Sequence, residues 1–526
     1  MDYRTRMKVS ESPTNPKEKT ARKVFDIEDL YRGPLDEGKP AESRSEDLDE
    51  KMRKAYFWLT NHALITPFYD IEYNEEPPAQ YKLGDRQTVL TLPTGQSYSS
   101  FILLPLLNLV VQKRCLLVGG PGRGKTASAM LMGILAGYSI KELKRSIQHG
   151  QPQMTISDLL GNPLPSDLMN AKDMGDIKIA WRKWLSMKVK IIDEYNRIPT
   201  RTQSALLTVM GDNYAELLDQ IYECPEAAWY LTANDDEGGG TYQVIEALSD
   251  RIDVVVHALH FNTRFLKELL SRIEAGIKPE EMVPDEIIFN DQEISEIHRQ
   301  ILTVEIPRTL MRRIEFFASQ FEFFESAGEQ FEYKTKDVLK LSGQDFRQMA
   351  SLETGKDQVK DIGYQTRNGF SVRTFMTSLV FIKAVAFFRG NNKVGFDDVR
   401  NIIPFVLHDK LAQNSDAQFF EQPGNEVYRI DKISWIRKLF DLSCAEYDRQ
   451  GLDRKDPIRD LEESFDKGLE GVSEKETKEQ MVKIERMLEQ MAKGRKIHSF
   501  MYDDVLKLKY FHQRYTNYMK WLQWKK

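Results

Sequence analysis

Eight consecutive residues carry the clearest chemical signal in this chain. Residues 119–126 read Gly-Gly-Pro-Gly-Arg-Gly-Lys-Thr, which is the G-x-x-x-x-G-K-[ST] pattern of a phosphate-binding loop. Glycines let backbone N–H groups turn toward a phosphate, and the amino terminus of a following helix adds partial positive charge. We expect Lys125 to reach the β and γ phosphates and the Thr126 hydroxyl to ligate Mg²⁺. The predicted nucleotide-binding residues are Gly119, Gly120, Pro121, Gly122, Arg123, Gly124, Lys125, Thr126 and Ala127.

The residues on both sides of this loop fit that interpretation. Residues 114–118 form a short apolar run typical of a buried parallel strand, and residues 127–132 favour the start of a helix. The alternative is a chance glycine loop that precedes a helix. Because strand, loop and helix occur in the order that the motif requires, we predict binding of ATP with Mg²⁺.

Two further apolar runs end in polar residues that could complete a hydrolytic site. Residues 189–194 end in Asp193, which could hold the Mg²⁺ hydration shell, and Glu194, which could deprotonate the attacking water. Adjacent acids after a strand could also cap a helix. Residues 227–234 end in Asn234, which would position the water beside the γ-phosphate or, alternatively, occupy a turn.

Arg251 is a candidate for a role in a neighbouring subunit. It follows Leu248-Ser249-Asp250 and could project from a subunit edge into the neighbour's site, where such an arginine stabilises transition-state charge. An isolated Asp-Arg pair is more often a surface ion pair, so this alternative stays open.

Composition limits the function classes. The chain has 526 residues, a net charge of −6 and 29% charged residues, so it favours about three domains and offers no overall electrostatic case for nucleic-acid binding. Three separated cysteines predict neither a disulfide framework nor a zinc site and are typical of a reducing cytosol. The longest apolar run, 101–111, is too short to span a bilayer and contains Pro105 and Asn108. With a polar amino terminus, the sequence predicts a cytoplasmic protein without membrane contact, and the run is a predicted core helix.

Periodicity and composition divide the chain into five segments. Residues 1–45 predict a disordered or docking arm, and 46–93 a helix followed by an extended segment. Residues 94–261 predict an α/β nucleotide-binding core with strands near 114–118, 188–192 and 227–233. A helical lid is predicted over 262–412, with an insertion near 326–369, and a helical carboxyl-terminal region over 413–526. Predicted helices in these last two segments lie near 263–275, 291–302, 308–325, 371–389, 396–412, 430–449, 456–469, 473–494 and 500–524.

Residues 95–411 resemble the MoxR family of AAA+ ATPases in three motifs. Residues 193–199, Asp-Glu-Tyr-Asn-Arg-Ile-Pro, are similar to the family's extended second phosphate-site motif, and 202–207 continue it. Asn234, with 240–242 and 246–251, is similar to the sensor-1 and arginine-finger region. Residues 369–373, with 396–399, resemble the sensor-2 helix and the end of the lid.

The resemblance implies a fold and a set of roles. It implies an AAA+ core with an all-α lid, Arg373 as the sensor-2 arginine that folds over the nucleotide, and Arg251 as an arginine finger acting in trans. It also implies a ring, usually a hexamer, and a helix-2 insert over 155–184. Such ATPases act as remodelling chaperones, often with a partner that carries a von Willebrand factor A domain. Asp235 replaces the family's usual proline, Arg123 is bulky for its position, and Asp236 and Glu237 add negative charge that could slow hydrolysis.

Two alternative functions remain, and the role of the aromatic tail also has two interpretations. A nucleic-acid-directed ring ATPase is conceivable because Trp181 and Trp184 could stack on bases, although packing in the core is the favoured interpretation for both. The surrounding basic residues are Lys141, Lys144, Arg145, Lys172, Lys178, Arg182 and Lys183. A nucleotide-dependent scaffold with slow turnover is the second alternative. The aromatic tail, 502–524, could dock a partner, but we expect Tyr510, Tyr518 and Trp521 to pack within their own helical domain.

Overall fold

The structure is a computed structural model, and it describes most of the chain between Asp47 and Lys525. The described residues are 47–66, 68–73, 77–85, 87–165, 177–234, 246–258, 263–274, 276, 278–323, 335–343, 362–453, 456, 458–493 and 499–525. The predicted arm at 1–45, Asp235, Asp236, Glu237, residues 240–242, Lys172 and most of the 326–369 insertion lie outside these ranges.

Among the described residues, both strands and helices occur up to residue 257, and the elements that follow are helices. The strands are β1 Ile71–Glu72, β2 Gln80–Leu83, β3 Thr88–Thr91, β4 Ser97–Tyr98, β5 Arg114–Val118, β6 Gln148–His149, β7 Gly161–Pro163, β8 Ile179–Trp181, β9 Val189–Asp193, β10 Tyr214–Leu217, β11 Gln220–Glu223, β12 Ala228–Ala233 and β13 Val254–His257. The α-helices are α1 Asp47–Trp58, α2 Ser100–Val111, α3 Lys125–Leu135, α4 Ile140–Ser146, α5 Ile156–Leu160, α6 Thr200–Asp212, α7 Glu246–Arg251, α8 Leu266–Glu274, α9 Asp291–Thr303, α10 Arg308–Glu322, α11 Lys336–Leu341, α12 Val372–Phe388, α13 Phe396–Leu407, α14 Lys432–Gln450, α15 Arg459–Asp466, α16 Glu474–Ala492 and α17 Ser499–Lys525.

Five parallel strands form the central sheet, in the order β13-β5-β12-β9-β6. The three predicted strands are confirmed as β5, β9 and β12, which occupy the middle of the sheet. The two outer strands were not predicted because both are short. The strand β6 contains only two residues, and β13 contains four, three valines and a histidine. The α/β fold class is confirmed, and the carboxyl ends of the strands meet along one edge of the sheet.

The apolar run that the sequence assigns to a core helix is α2, and all twelve of its residues are buried. Pro105 lies inside it, and the Tyr230 hydroxyl donates a hydrogen bond to its carbonyl at 2.8 Å. The Asn108 side-chain amide donates to the carbonyl of Trp229 at 3.1 Å. Both polar interruptions of the run therefore fasten α2 to the central strand β12.

Helices after the sheet cover the region predicted as a lid. The predicted helices near 291–302, 308–325, 371–389 and 396–412 are confirmed as α9, α10, α12 and α13, each ending one to five residues from the predicted limit. The Thr377 hydroxyl of α12 donates to the buried Asp253, the residue that precedes β13, at 2.8 Å. Beyond α13, the Lys410 ammonium donates to the carbonyls of Ser249 and Asp250, each at 2.7 Å. These bonds attach the lid helices to the sheet domain.

The chain forms two compact units, and the described part of the smaller one contains α15, α16 and most of α17. Their core includes Leu508, Phe511, Tyr515 and Tyr518, all at most 3% exposed, so packing of the aromatic tail within its own helices is confirmed for these residues. Tyr510 is an exception, because it is 54% exposed. The larger unit runs to Lys455, beyond the predicted limit at 412, because α14 packs against α10 and α13. Among the described helices, none is long and apolar enough to cross a membrane.

Candidate nucleotide-binding site

The glycine-rich loop connects β5 to α3 at the carboxyl edge of the sheet. Gly119 has φ +151°, and a Cβ there would lie 2.8 Å from the carbonyl oxygen of Ala258, so only glycine fits against β13. Gly124 adopts the left-handed region with φ +79° immediately before Lys125, the first residue of α3. The loop thus delivers the chain directly into a helix whose amino terminus faces the loop, which is the geometry that binds phosphate.

Lys125 is buried and folded back onto the loop. Its side-chain ammonium donates to the carbonyls of Gly119 and Gly120 and, at 3.0 Å, to the Oδ1 of Asn234. These three acceptors are uncharged oxygens that hold the ammonium at the loop. The sequence predicts that this lysine binds the β and γ phosphates, and its position beside the loop carbonyls agrees with that prediction.

Arg123 lies along the loop. A Cβ on Gly120 would lie 2.9 Å from the Arg123 guanidinium carbon, and Nη1 of Arg123 donates to the Ala258 carbonyl at 3.4 Å. The bulky side chain that departs from the family pattern is therefore accommodated because Gly120 has no side chain.

Asp193 is held by two hydroxyl groups. Thr126 Oγ1 and Thr232 Oγ1 each donate to Oδ1 of Asp193 at 2.7 Å, and His149 Nδ1 lies 3.3 Å from Oδ2. Hydroxyl and carboxylate oxygens are the donors that Mg²⁺ prefers. Thr126 and Asp193, predicted from sequence positions 67 residues apart, therefore form a donor set that fits the ion.

Glu194 follows β9 in the left-handed conformation, with φ +55° and ψ +48°. Its amide donates to Thr232 Oγ1 at 2.9 Å, and one carboxylate oxygen accepts from the Asn234 amide at 2.9 Å. The other oxygen lies 3.2 Å from Nε of Arg197. Asn234 therefore bridges Lys125 and the predicted base.

Tyr195 is the residue after Glu194. Burial raises the pKa of its phenol, which therefore stays neutral.

Gly150 sets the path of the chain on the other side of Glu194. Its amide donates to the Asp193 carbonyl at 2.7 Å, and a Cβ on it would lie 2.1 Å from the Glu194 carbonyl oxygen. Sequence reasoning missed Gly150, His149, Thr232 and Arg197 as site residues. Only Thr232 carried a usable signal, since a hydroxyl at an otherwise apolar strand position, two residues before Asn234, must find a buried partner.

Comparison with known proteins agrees with this geometry. Residues 114–254 match the family described as "ATPase family associated with various cellular activities (AAA)". Chaperone MoxR1 of Mycobacterium tuberculosis (strain ATCC 25618 / H37Rv) is 22% identical over 313 residues, which cover 59% of this chain and 71% of that protein. The chain therefore contains a segment that matches the AAA family, and it is similar to a MoxR chaperone over a longer range. A crystal structure of a Cytophaga hutchinsonii protein, described provisionally as an ATPase, is 19% identical with a TM-score of 0.43 and covers 63% of this chain and 88% of that one.

The two predicted arginines of this AAA+ protein lie away from its own phosphate loop. Arg251 ends α7 and packs on Gly211, where a Cβ would lie 2.4 Å from the arginine Nε. Arg373, near the start of α12, lies 3.5 Å from the Asp250 carboxylate. Thr377, one turn further along α12, bonds Asp253, whose carboxylate also accepts the amide of the first residue of β5 at 3.0 Å. Both arginines therefore lie toward the amino-terminal edge of the sheet.

The distance between the two edges separates these arginines from the loop. The strand β5 has five residues, so its ends are roughly 13 Å apart at about 3.3 Å per residue. The structure does not bring Arg373 or Arg251 to the loop of the same chain, whereas it brings Lys125, Thr126, Asp193, Glu194 and Asn234 together.

The tryptophans of the nucleic-acid hypothesis pack inside the AAA+ protein. Trp184 is 1% exposed, stacks edge-on against Trp229 and donates its indole N–H to the Leu159 carbonyl at 2.7 Å. Trp181 is partly buried, with its ring 5.4 Å from that of Tyr222. The favoured interpretation of both residues as packing residues is confirmed, which removes the stacking argument for nucleic acid.

Proposed function

We propose that this chain hydrolyses Mg-ATP in a ring of identical subunits and uses the cycle to remodel a partner protein complex. The observation that carries the proposal is the hydrogen-bonded chain from Lys125 through Asn234 to Glu194, beside the pair of Thr126 and Asp193. A phosphate-binding cation, a metal-binding pair and a general base lie together at the carboxyl edge of one sheet, as phosphoryl transfer requires.

The roles follow from these positions. Lys125 and the loop amides bind the β and γ phosphates, and Asn234 orients the attacking water. Glu194 accepts a proton from that water, and the water oxygen forms a bond to the γ-phosphorus. The bond between the γ-phosphorus and the β,γ-bridging oxygen breaks, which releases ADP and phosphate. Thr126 and Asp193 would hold Mg²⁺, which when bound offsets the negative charge of the phosphates.

The position of the two arginines supports a ring. Arg251 lies beside Gly211 and Arg373 beside Asp250, and these positions support a role for both in the site of the neighbouring subunit. This extends the expectation for Arg251 and moves Arg373 from its own nucleotide to that of a neighbour. A hexamer and a partner with a von Willebrand factor A domain remain what the MoxR resemblance implies, and the relative named Chaperone MoxR1 supports the remodelling role. Residence in the cytoplasm belongs to the same proposal.

One observation favours slow turnover as a second candidate. Both carboxylate oxygens of Glu194 are already engaged, one by Asn234 and the other by Arg197. Each contact occupies one lone pair of an oxygen that could otherwise accept a proton from water. A scaffold with slow basal hydrolysis, accelerated by a partner, is consistent with this conformation.

Steady-state phosphate release by the purified chain, with and without Mg²⁺, tests the proposal. Glu194→Gln should retain ATP binding and lose at least about 100-fold in turnover, as expected for removal of a general base. Glu216→Gln, at an exposed position on β10, is the matched control and should turn over at the wild-type rate. Equal turnover in Glu194→Gln and the wild type would refute the role of Glu194, and no ATP binding by the wild type would refute the function.

Affinity capture with Glu194→Gln held in ATP tests the remodelling role. Co-purification of a defined protein complex with a ring-sized particle, released by replacing ATP with ADP, is the expected result. Capture of nuclease-sensitive material, with ATPase stimulation by DNA or RNA, would instead favour the nucleic-acid alternative.

A further inference from the structure

Thr232 occupies the central strand β12, in which every residue is buried, and it is itself 0% exposed. Its hydroxyl contacts both predicted acidic residues of the site, since it bonds the carboxylate of Asp193 and the amide of Glu194. We propose that Thr232 is a positioning residue that fixes the metal-binding carboxylate and the general base relative to each other. The inference rests on the proposed ATPase function and adds a residue to its machinery.

The directions of the two hydrogen bonds are determined by the groups themselves. The Glu194 amide can only donate, so the Thr232 oxygen accepts from it at 2.9 Å. The single hydroxyl proton is then available for Oδ1 of Asp193, 2.7 Å away. Thr126 donates to the same oxygen, so one carboxylate oxygen receives two hydroxyl protons. This arrangement orients the Asp193 carboxylate without help from an ion.

The amide bond matters because of the backbone conformation of Glu194. A residue with a Cβ in the left-handed region is strained, and the surrounding structure must compensate for that strain. The Thr232 hydroxyl holds the amide of Glu194, while the carboxylate of the same residue bonds Asn234. Loss of the hydroxyl would therefore release the base as well as the metal-binding carboxylate.

A hydroxyl, rather than the shape of the side chain, is what this role requires. Thr232→Val keeps the volume and the β-branch but removes the donor and the acceptor, whereas Thr232→Ser keeps both. Removal of an outer-shell partner typically weakens metal affinity or activity by about 10–100-fold. Thr477→Val is the matched control, because Thr477 is also 0% exposed and its hydroxyl donates to the carbonyl of Ser473, the residue before α16, rather than to a site residue.

Two measurements separate positioning from a merely structural role. The first is kcat and KM for ATP as a function of Mg²⁺ concentration. The second is the affinity of the ADP-bound protein for Mn²⁺, measured by electron paramagnetic resonance, which needs no turnover. We expect Thr232→Val to lower kcat and to weaken Mn²⁺ binding, each by about tenfold or more, with metal-free ADP affinity changed by less than about threefold. Thr232→Ser should recover both properties, and Thr477→Val should change neither.

Each outcome decides the matter. A folded Thr232→Val protein with wild-type kcat and Mn²⁺ affinity would overturn the inference while leaving the ATPase function intact. Equal losses in the Val and Ser variants would also overturn it, because the effect would then follow shape. If the Val variant does not fold, Thr232→Ala replaces it in the comparison with Ser. A wild type that binds no nucleotide would refute the proposed function and this inference together.

Discussion

Lys190 is the buried lysine of the strand β9, and replacing it by methionine should stabilise the protein. The side chain is 1% exposed, and its ammonium donates to the carbonyls of Met187 at 2.6 Å and Pro225 at 3.4 Å. It also lies 5.6 Å from the centroid of the Trp229 ring. These partners are uncharged, so they offset only part of the free energy lost when the ammonium leaves water.

The size of the expected gain in the free energy of unfolding follows from the pKa of Lys190. Burial lowers the pKa of Lys190 from 10.5 to about 8. At about 1.4 kcal/mol per pKa unit, keeping this lysine charged in the folded state at pH 7 opposes folding by up to about 3 kcal/mol. Methionine has a similar length, fills the same space and needs no hydrogen bond. We therefore expect Lys190→Met to raise the free energy of unfolding at pH 7 by about 1–3 kcal/mol, the lower figure allowing for imperfect packing.

The pH dependence has a definite sign. Between about pH 8 and pH 10.5 the unfolded lysine is protonated while the folded one is neutral, so the unfolded state binds more protons. Stability contributed by this residue must then rise with pH across that window. The advantage of Lys190→Met over the wild type should accordingly be largest below pH 8 and shrink toward pH 10.5. Comparison of the two proteins at each pH cancels the titration of the groups that do not interact with Lys190.

Urea unfolding followed by tryptophan fluorescence, from pH 7 to pH 10, measures this difference. Lys141→Met on α4 is the control, because Lys141 is exposed and should give a pH-independent change close to zero. A Lys190→Met protein that is less stable than the wild type at pH 7, or a stability difference that does not change with pH, would refute the reasoning.

Three further predictions concern turnover. Gly150→Ala should lower kcat by about tenfold or more while ATP affinity is retained. The reason is that a Cβ 2.1 Å from the Glu194 carbonyl oxygen must displace Glu194 but not the phosphate loop. An unchanged kcat would show that the backbone at Gly150 can adapt. Arg197→Gln should raise basal turnover by about 1.4- to 5-fold, since a partly exposed ion pair contributes about 0.2–1 kcal/mol to holding Glu194; a lower rate would indicate a positive role for Arg197. Arg251→Ala and Arg373→Ala should each lose turnover but regain part of it when mixed with Glu194→Gln subunits; absence of recovery in both mixtures would contradict action in trans.

Local patterns in the sequence were sufficient for the loop and for the elements around it. The residues of the phosphate loop are contiguous, and the strand and helix that flank it have distinct periodicities. The strand β5 therefore has the predicted limits, and the predicted helix is α3, which begins two residues earlier than expected. Asp193, Glu194 and Asn234 end strongly apolar strands, and such ends meet at one edge of a parallel sheet. The helices beyond residue 290 were equally readable, because their apolar residues recur at helical spacing.

Positions that depend on neighbouring strands could not be read in this way. Thr232, His149 and Gly150 reach Asp193 and Glu194 only because β12 and β6 lie on either side of β9 in the sheet. Strand order is a property of the tertiary structure, and nothing local in residues 148–150 indicates it. The burial of Lys190 is similar, since a lysine in an apolar strand has no partner that the sequence can name.

The amino-acid sequence by itself therefore predicted the chemistry that we propose for this protein: a phosphate-binding lysine, a magnesium-binding threonine and aspartate, a base and a polar sensor. These residues are recognisable because they belong to short, contiguous motifs. Only the tertiary structure shows which other residues contact them and which residues each arginine contacts. Arg251 and Arg373 lie at the opposite edge of the sheet from the loop because the packing of α7 and α12, governed by contacts distant in sequence, places them there.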